Sequence, residues 1–330
     1  MVFSRPVYTF LRGSVTSVRC FSAAPCVSVS LISSLRKNTG ASIQKCKEAL
    51  EQTQGDMKRA MEFLRKRGEN INSRANGSAA GGSRVAITRT HDFKKLVISR
   101  TTSQTDFASE SELFVKFSEC VNKSLCNIAT DKLHTVPVGL PLNSRFSDQI
   151  HGSTIEDVVS ELSSILSEPV AVSNVDVIEG DLVCVYLHGK SQYSSTVGSM
   201  ASAVSFRLRE RPDSEQLVAL TKLGDCIARQ VIATNPRFIS SSDVPETELA
   251  KERELLTSRI KNPDALKRAL SGHLKKFFSE NCMLNMEWII PIPGQEVPEG
   301  STVASVMDLV CKQVGIQPAA FAIERFVVRK

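Results

Sequence analysis

The chain predicts an α+β fold: a small helical bundle, joined by a polar stretch to a core in which antiparallel strands pack against helices. Three observations lead there. Residues 31–68 place apolar side chains at helical spacing. Residues 84–101 and 170–187 alternate apolar and polar positions, the period of half-buried strands. Beyond residue 213 long helical patterns dominate, and short runs near 288 and 321 read as strands.

The 330 residues suffice for two or three compact units whose core needs neither disulfide nor metal. The formal charge of +6 includes Arg5, Arg12 and Arg19 of an N-terminal segment, and without them it is +3. That is a weak footprint for a nucleic-acid surface, which wants a domain pI above about 9 and clustered Lys and Arg. The nine cysteines are odd in number and contain no CxxC pair, which suits a reducing compartment where buried thiols act as small apolar groups. No run of about 18 apolar residues occurs, so no membrane span is expected.

Residues 1–30 carry no acid, and the first in the chain is Glu48. Serine, valine and three arginines spaced by seven make up a mitochondrial transit peptide, with Arg19-Cys20-Phe21-Ser22 resembling a matrix processing site. Residues 31–70 read as three short helices. Leu31, Ile32 and Leu35 face one way; Thr39-Gly40-Ala41-Ser42 turns the chain, with Ser42 as cap; Ile43, Cys46, Ala49 and Leu50 continue the stripe. Gly55 closes the second helix and Asp56 caps the third, whose inner face is Met57, Ala60, Met61 and Leu64. Residues 71–83 have little to bury and read as a flexible linker. Their glycines match neither GxxxxGK[ST] nor a dinucleotide fingerprint.

The core divides into residues 84–168 and 169–330. It opens with a hairpin, Val85 and Ile87 on one arm, Leu96 and Ile98 on the other, joined by His91-Asp92-Phe93. The polar turn Gln104-Thr105-Asp106-Phe107 follows, and then Leu113, Phe114, Phe117, Val121, Leu125 and Ile128 on one helical face. The residues alone leave two readings of the turn: Asp106 caps the next helix with Phe107 folded onto the core, or acid and ring are displayed to a partner. A loop with Pro137, Gly139 and Pro141 precedes Ser153-Thr154-Ile155-Glu156-Asp157, which caps a helix to about Leu166. Val170, Val172, Val175 and Val177 make a strand; Glu179-Gly180-Asp181 turns it; Leu182, Val183, Val185 and Leu187 are its expected partner. Helices are expected against one face of these sheets. Asp213 or Ser214 starts a long helix ended by Asn235-Pro236. Val244-Pro245 and Asn262-Pro263 open the two helices of a hairpin, residues 244–280, inserted in the C-terminal half. Trp288 to Ile292 reads as a strand, Ser301-Thr302 caps a helix to Val314, and Phe321 to Val328 is the last strand.

The five histidines show no metal-ligand spacing with one another or with cysteines, and no GxSxG elbow occurs. Function is therefore expected from binding, with neither catalytic residues nor a cofactor.

Leu35-Arg36-Lys37-Asn38-Thr39-Gly40-Ala41-Ser42-Ile43-Gln44-Lys45-Cys46-Lys47-Glu48-Ala49-Leu50 and Gln104-Thr105-Asp106-Phe107 carry a family resemblance. With His188-Gly189, Asn235-Pro236-Arg237-Phe238-Ile239, Leu274-Lys275-Lys276-Phe277-Phe278 and the strand Ile323 to Val328, in that order, residues 31–330 resemble elongation factor Ts, the guanine-nucleotide exchange factor of translation. The resemblance implies a ubiquitin-associated-like (UBA-like) bundle that grips the GTPase domain of elongation factor Tu. It also implies a core of two related subdomains, the second meeting the partner through its His-Gly turn. Gln104, Thr105, Asp106 and Phe107 would form the wedge against the GTPase, and Leu35, Ile43, Gln44, His188 and Gly189 further contacts. For Leu35 a place in the core is the equal alternative. Gln44 departs from an apolar family position, and Ala108-Ser109-Glu110 departs from the family's apolar-then-basic sequence. The implied partner is mitochondrial elongation factor Tu, nucleotide-free and GDP-bound, in the matrix, with no direct nucleic acid; self-association through the hairpin is left open. The alternatives are a ribosome- or RNA-associated translation protein, resting on Arg65-Lys66-Arg67 and Lys275-Lys276, and ubiquitin binding by residues 31–68.

Overall fold

The computed structural model describes residues 27–74, 81–128, 139–142, 147–148, 150–257 and 263–330; of the side chains of 73–74, 255–257 and 263–267 nothing is described. Most of the leader, the middle of the linker, the loop around Pro137 and the Lys261-Asn262 connection lie outside these residues.

The bundle comprises α1 (Val29–Thr39), α2 (Ile43–Gln52) and α3 (Met57–Arg74). Its ends follow local chemistry. Gly40 leaves α1 in the left-handed region at φ 67°, the Ser42 hydroxyl accepts from Lys45 N, and Asp56 accepts from Lys58 N and Arg59 N. Leu35, Cys46, Ala49, Leu50, Ala60 and Leu64 fill the core between the helices.

The next elements are β1 (Gly82–Arg89), β2 (Lys95–Ser103), α4 (Asp106–Glu110), α5 (Glu112–Ile128), α6 (Ile155–Leu166), β3 (Val170–Glu179), β4 (Leu182–His188), β5 (Val197–Gly198) and β6 (Met200–Leu208). The chain ends with α7 (Ser214–Thr234), α8 (Glu246–Thr257), α9 (Pro263–Asn281), α10 (Val303–Gln313) and β7 (Phe321–Arg329). Two sheets form, in the orders β3-β2-β1-β5 and β4-β6-β7, with every pairing antiparallel.

The sheets stack in the middle of four layers. One face of the first sheet meets α5 and α6 through Val97, Phe114, Phe117, Leu162, Val175 and Val177. Its other face meets the second sheet through Val85, Leu96, Ile98, Ile178, Ala201 and Ala203. The outer face of the second sheet is covered by α7 and α10 through Phe206, Leu223, Ile227, Val306 and Val310. Each sheet thus has helices on one face, as expected, and the other sheet on its second face.

Four expectations are corrected. The strands β3 and β4 do not form a hairpin, because the turn between them divides its donors: Gly180 N bonds Lys94 O in the first sheet and Asp181 N bonds Phe206 O in the second. The chain changes sheets there. Trp288 to Ile292 bends at Ile290 and joins no ladder, since Pro291 lacks the N–H a strand must donate; it is fastened instead by Trp288 N to Ser301 O. Ile128 ends its stripe 46% exposed. The residues read as linker are partly structured: α3 runs on to Arg74, and Gly82 and Ser83 already belong to β1.

The bundle is also fixed to the core rather than loosely tethered. Gly68 lies so close to α6 that a Cβ there would fall 1.8 Å from Ser160 O. Arg65 pairs with Asp157, and the His151 ring meets Asn38 O at 2.9 Å.

Candidate partner-binding site

Gln104 and Thr105 link the end of β2 to the short helix α4, whose first two residues are Asp106 and Phe107. The cap of α4 is Thr105, whose hydroxyl accepts from Ala108 N at 3.3 Å. Asp106 is therefore the first helical residue and not the cap. Phe107 is not folded onto the core: its side chain is 90% exposed, the most open among the described large apolar residues. Gln104 and Asp106 are exposed beside it.

A helix of five residues cannot hold itself, because nucleation is costly and one turn supplies few bonds. Here the surroundings hold it. Glu168, 63 residues further along, accepts from Thr105 N at 3.0 Å and from Thr105 Oγ1 at 2.8 Å. Ser103 Oγ donates to Thr105 O, Ser109 Oγ to Asp106 O, and Arg84 reaches both Ser109 O and the Glu110 carboxylate. From below, Gly82 permits backbone contact that any side chain would block, since a Cβ there would lie 2.3 Å from Thr105 O. Glu168 and Gly82 carry no local sequence signal for this role, because the contacts are non-local.

His188 ends β4 and Gly189 follows it. Both are exposed, and the His188 ring meets the Tyr186 hydroxyl at 3.2 Å through Nδ1. Gly189 turns with φ 59°, where a Cβ would clash with Ser199 Oγ at 2.2 Å. His188 O lies against Gly198, which pairs with Val85 of β1. Thr105 abuts Gly82, three residues earlier on the same strand.

On the bundle, Ile43 is 56% exposed and Gln44 is open beside it, both at the start of α2. Leu35 is 0% exposed. It is a core residue, and its side chain offers no surface to a partner. Lys45, next along, turns inward onto Ser164 O and Ser167 Oγ; burial, then the Arg67 charge, lowers its pKa. Burial raises the pKa of Cys184 and of Cys311, the latter to about 11, which keeps these thiols protonated and inert.

Among the described residues no group of three or more His, Cys, Asp or Glu is placed to hold a metal ion, and no helix is long and apolar enough to cross a membrane. What the site offers is one unsheltered ring and one carboxylate on a braced support. A family model described as elongation factor TS matches residues 104–314, from the first residue of this turn to the residue that follows α10. Elongation factor Ts of Orientia tsutsugamushi is 27% identical, covering 88% of this chain and 87% of its own length. That of Clostridium novyi is 28% identical over 80% and 82%, and the mitochondrial elongation factor Ts of Arabidopsis thaliana 28% over 93% and 80%. The chain belongs to the elongation factor Ts family of translation elongation factors.

Proposed function

We propose that this protein is the guanine-nucleotide exchange factor of mitochondrial translation elongation, releasing GDP from elongation factor Tu by binding its nucleotide-free form more tightly than its GDP-bound form. Linkage makes the effect reciprocal: the factor by which GDP weakens this protein's affinity is the factor by which the protein weakens GDP. A 10³-fold coupling is about 4 kcal/mol, so differential contacts must be substantial.

The observation that carries the reading is the exposure of Phe107 on a turn whose backbone is pinned at Thr105. Burying such a ring in a pocket present only in the opened GTPase supplies about 1.5–3 kcal/mol. Asp106 brings a charge beside it, able to disturb the surroundings of a nucleotide-bound Mg²⁺, the largest local charge in such a site. The UBA-like bundle, through Ile43 and Gln44, and the turn at His188 and Gly189 add anchorage on either side, which makes insertion of the ring effectively intramolecular. A matrix location is supported by the acid-free N-terminal segment and by similarity to a mitochondrial relative.

The test is the rate of labelled GDP release from mitochondrial elongation factor Tu. The wild-type chain is expected to accelerate it and Phe107→Ala to lose at least about tenfold of that acceleration, corresponding to the lower end of the ring's burial energy. Equal rates for the two proteins would sink the wedge.

A further inference from the structure

The bundle and the turn both bond to one short joint, Ser167-Glu168-Pro169-Val170, where α6 passes into β3. Its backbone is tightly specified. Ser167 sits in the left-handed region at φ 63°, and Pro169 confines Glu168 to extended conformations. On one side the joint grips the turn, through the two bonds from Thr105 to Glu168. On the other side the bundle grips the joint. Lys45 donates to Ser164 O and Ser167 Oγ, and Asn72 Oδ1 accepts from Ser163 Oγ at 2.8 Å and from Val170 N at 3.0 Å. Lys45 directly follows Ile43 and Gln44, the exposed pair of α2.

We infer that Lys45, Asn72 and Glu168 are positioning residues, a bracket through which the bundle sets the direction in which Phe107 projects toward a GTPase. Seating of the bundle and insertion of the ring are then one coupled event. This rests on the wedge reading given above. Without the bracket Thr105 loses its acceptor, α4 frays, and the ring spreads over orientations that the complex must reorder at its own cost. If one conformer in ten remains competent, apparent affinity falls about tenfold with the contact surface untouched.

The experiment uses the full chain and GDP release from GDP-loaded elongation factor Tu, titrated to saturation. Lys45→Met, Asn72→Ala, Glu168→Ala and Glu168→Gln are each made with Phe107 present and in a Phe107→Ala background. The first three are expected to raise the half-saturating concentration about five- to tenfold with little change in the maximal rate. Glu168→Gln, which keeps an acceptor for Thr105, regains at least half the loss. In the Phe107→Ala background none of the four raises that concentration further, because there is no ring left to aim. A purely structural role would not produce that non-additivity. The bracket is overturned if Lys45→Met and Asn72→Ala keep their full effect without the ring, or have none with it. If Phe107→Ala itself changes nothing, the wedge and the bracket fall together, so the two failures are told apart. Lys45 and Asn72 touch different atoms of the joint, and either variant that folds decides the matter.

Discussion

Arg329 and Asp176 form a two-pronged ion pair, Nε to Oδ2 at 2.5 Å and Nη2 to Oδ1 at 2.6 Å, that ties the last strand of one sheet to an outer strand of the other. Asp176 is 4% exposed. Arg325 adds a bond from the same strand to Val177 O. Arg329→Met leaves a buried carboxylate without its partner and is expected to cost about 3 kcal/mol, read from the midpoint of urea unfolding. Pairing it with Asp176→Asn should recover part of the loss. A cost as large in the double variant would mean the arginine acts by packing alone.

Phe107→Ala should be nearly silent in a thermal melt, within about 0.5 kcal/mol, because the ring touches solvent rather than the core. Thr105→Ala should not be silent. It removes the cap of α4 and a donor to Glu168, for a loss of about 1–2 kcal/mol. The reverse order of the two melts would contradict the exposed position of the ring.

Asp106→Asn separates charge from fold. The cap is its neighbour, so the variant should lose only the favourable placement of an anion in the first helical turn, about 0.3–1 kcal/mol. Its effect on GDP release should exceed that fraction of stability. If release and melting decline in step, the acid serves the helix alone.

Gly224 on α7 faces the second sheet, where a Cβ would fall 2.3 Å from Cys184 Sγ and 2.9 Å from Phe206 Cε2. Gly224→Ala must push helix and sheet apart, and about 1–3 kcal/mol of stability should be lost. An unchanged urea midpoint would show that α7 can slide.

Asp225 links stability to pH. Burial raises its pKa against the smaller opposing effects of a hydrogen bond from Val185 N and of the Arg89 and Arg229 charges. For an acid raised on folding, the stabilising contribution is complete below the ordinary carboxylate value of 3.8 and is lost as pH rises through the higher folded value. Asp225→Asn keeps an acceptor for Val185 N and should therefore melt above wild type at pH 7, with the gap closing on acidification below 3.8. A gap that widens in acid would reverse the sign of the argument.

What the residues disclosed in advance divides along the range of the forces involved. Caps at Ser42, Asp56, Thr154, Asp213 and Thr302 act within three residues, and each could be read from its neighbours. The first hairpin was equally local, its register set by the match of Ile87 with Ile98. Strand partners further apart were not legible. The valines of β3 fit either neighbour, and only packed sheets decide that they pair with β2. At the site, residue types identified the turn, but whether Phe107 faces in or out depended on Glu168 and Gly82, which no pattern near residue 107 announces.

The polypeptide passes from the first sheet to the second at Gly180-Asp181, returns for Val197-Gly198, and passes over again at Ser199. Stitching of this kind makes the two sheets a single fabric. A polypeptide cut at 168 would strip β2 of its outer neighbour and bare a row of backbone donors and acceptors to any passing strand. The core should accordingly melt in one transition and resist being shuffled as interchangeable halves.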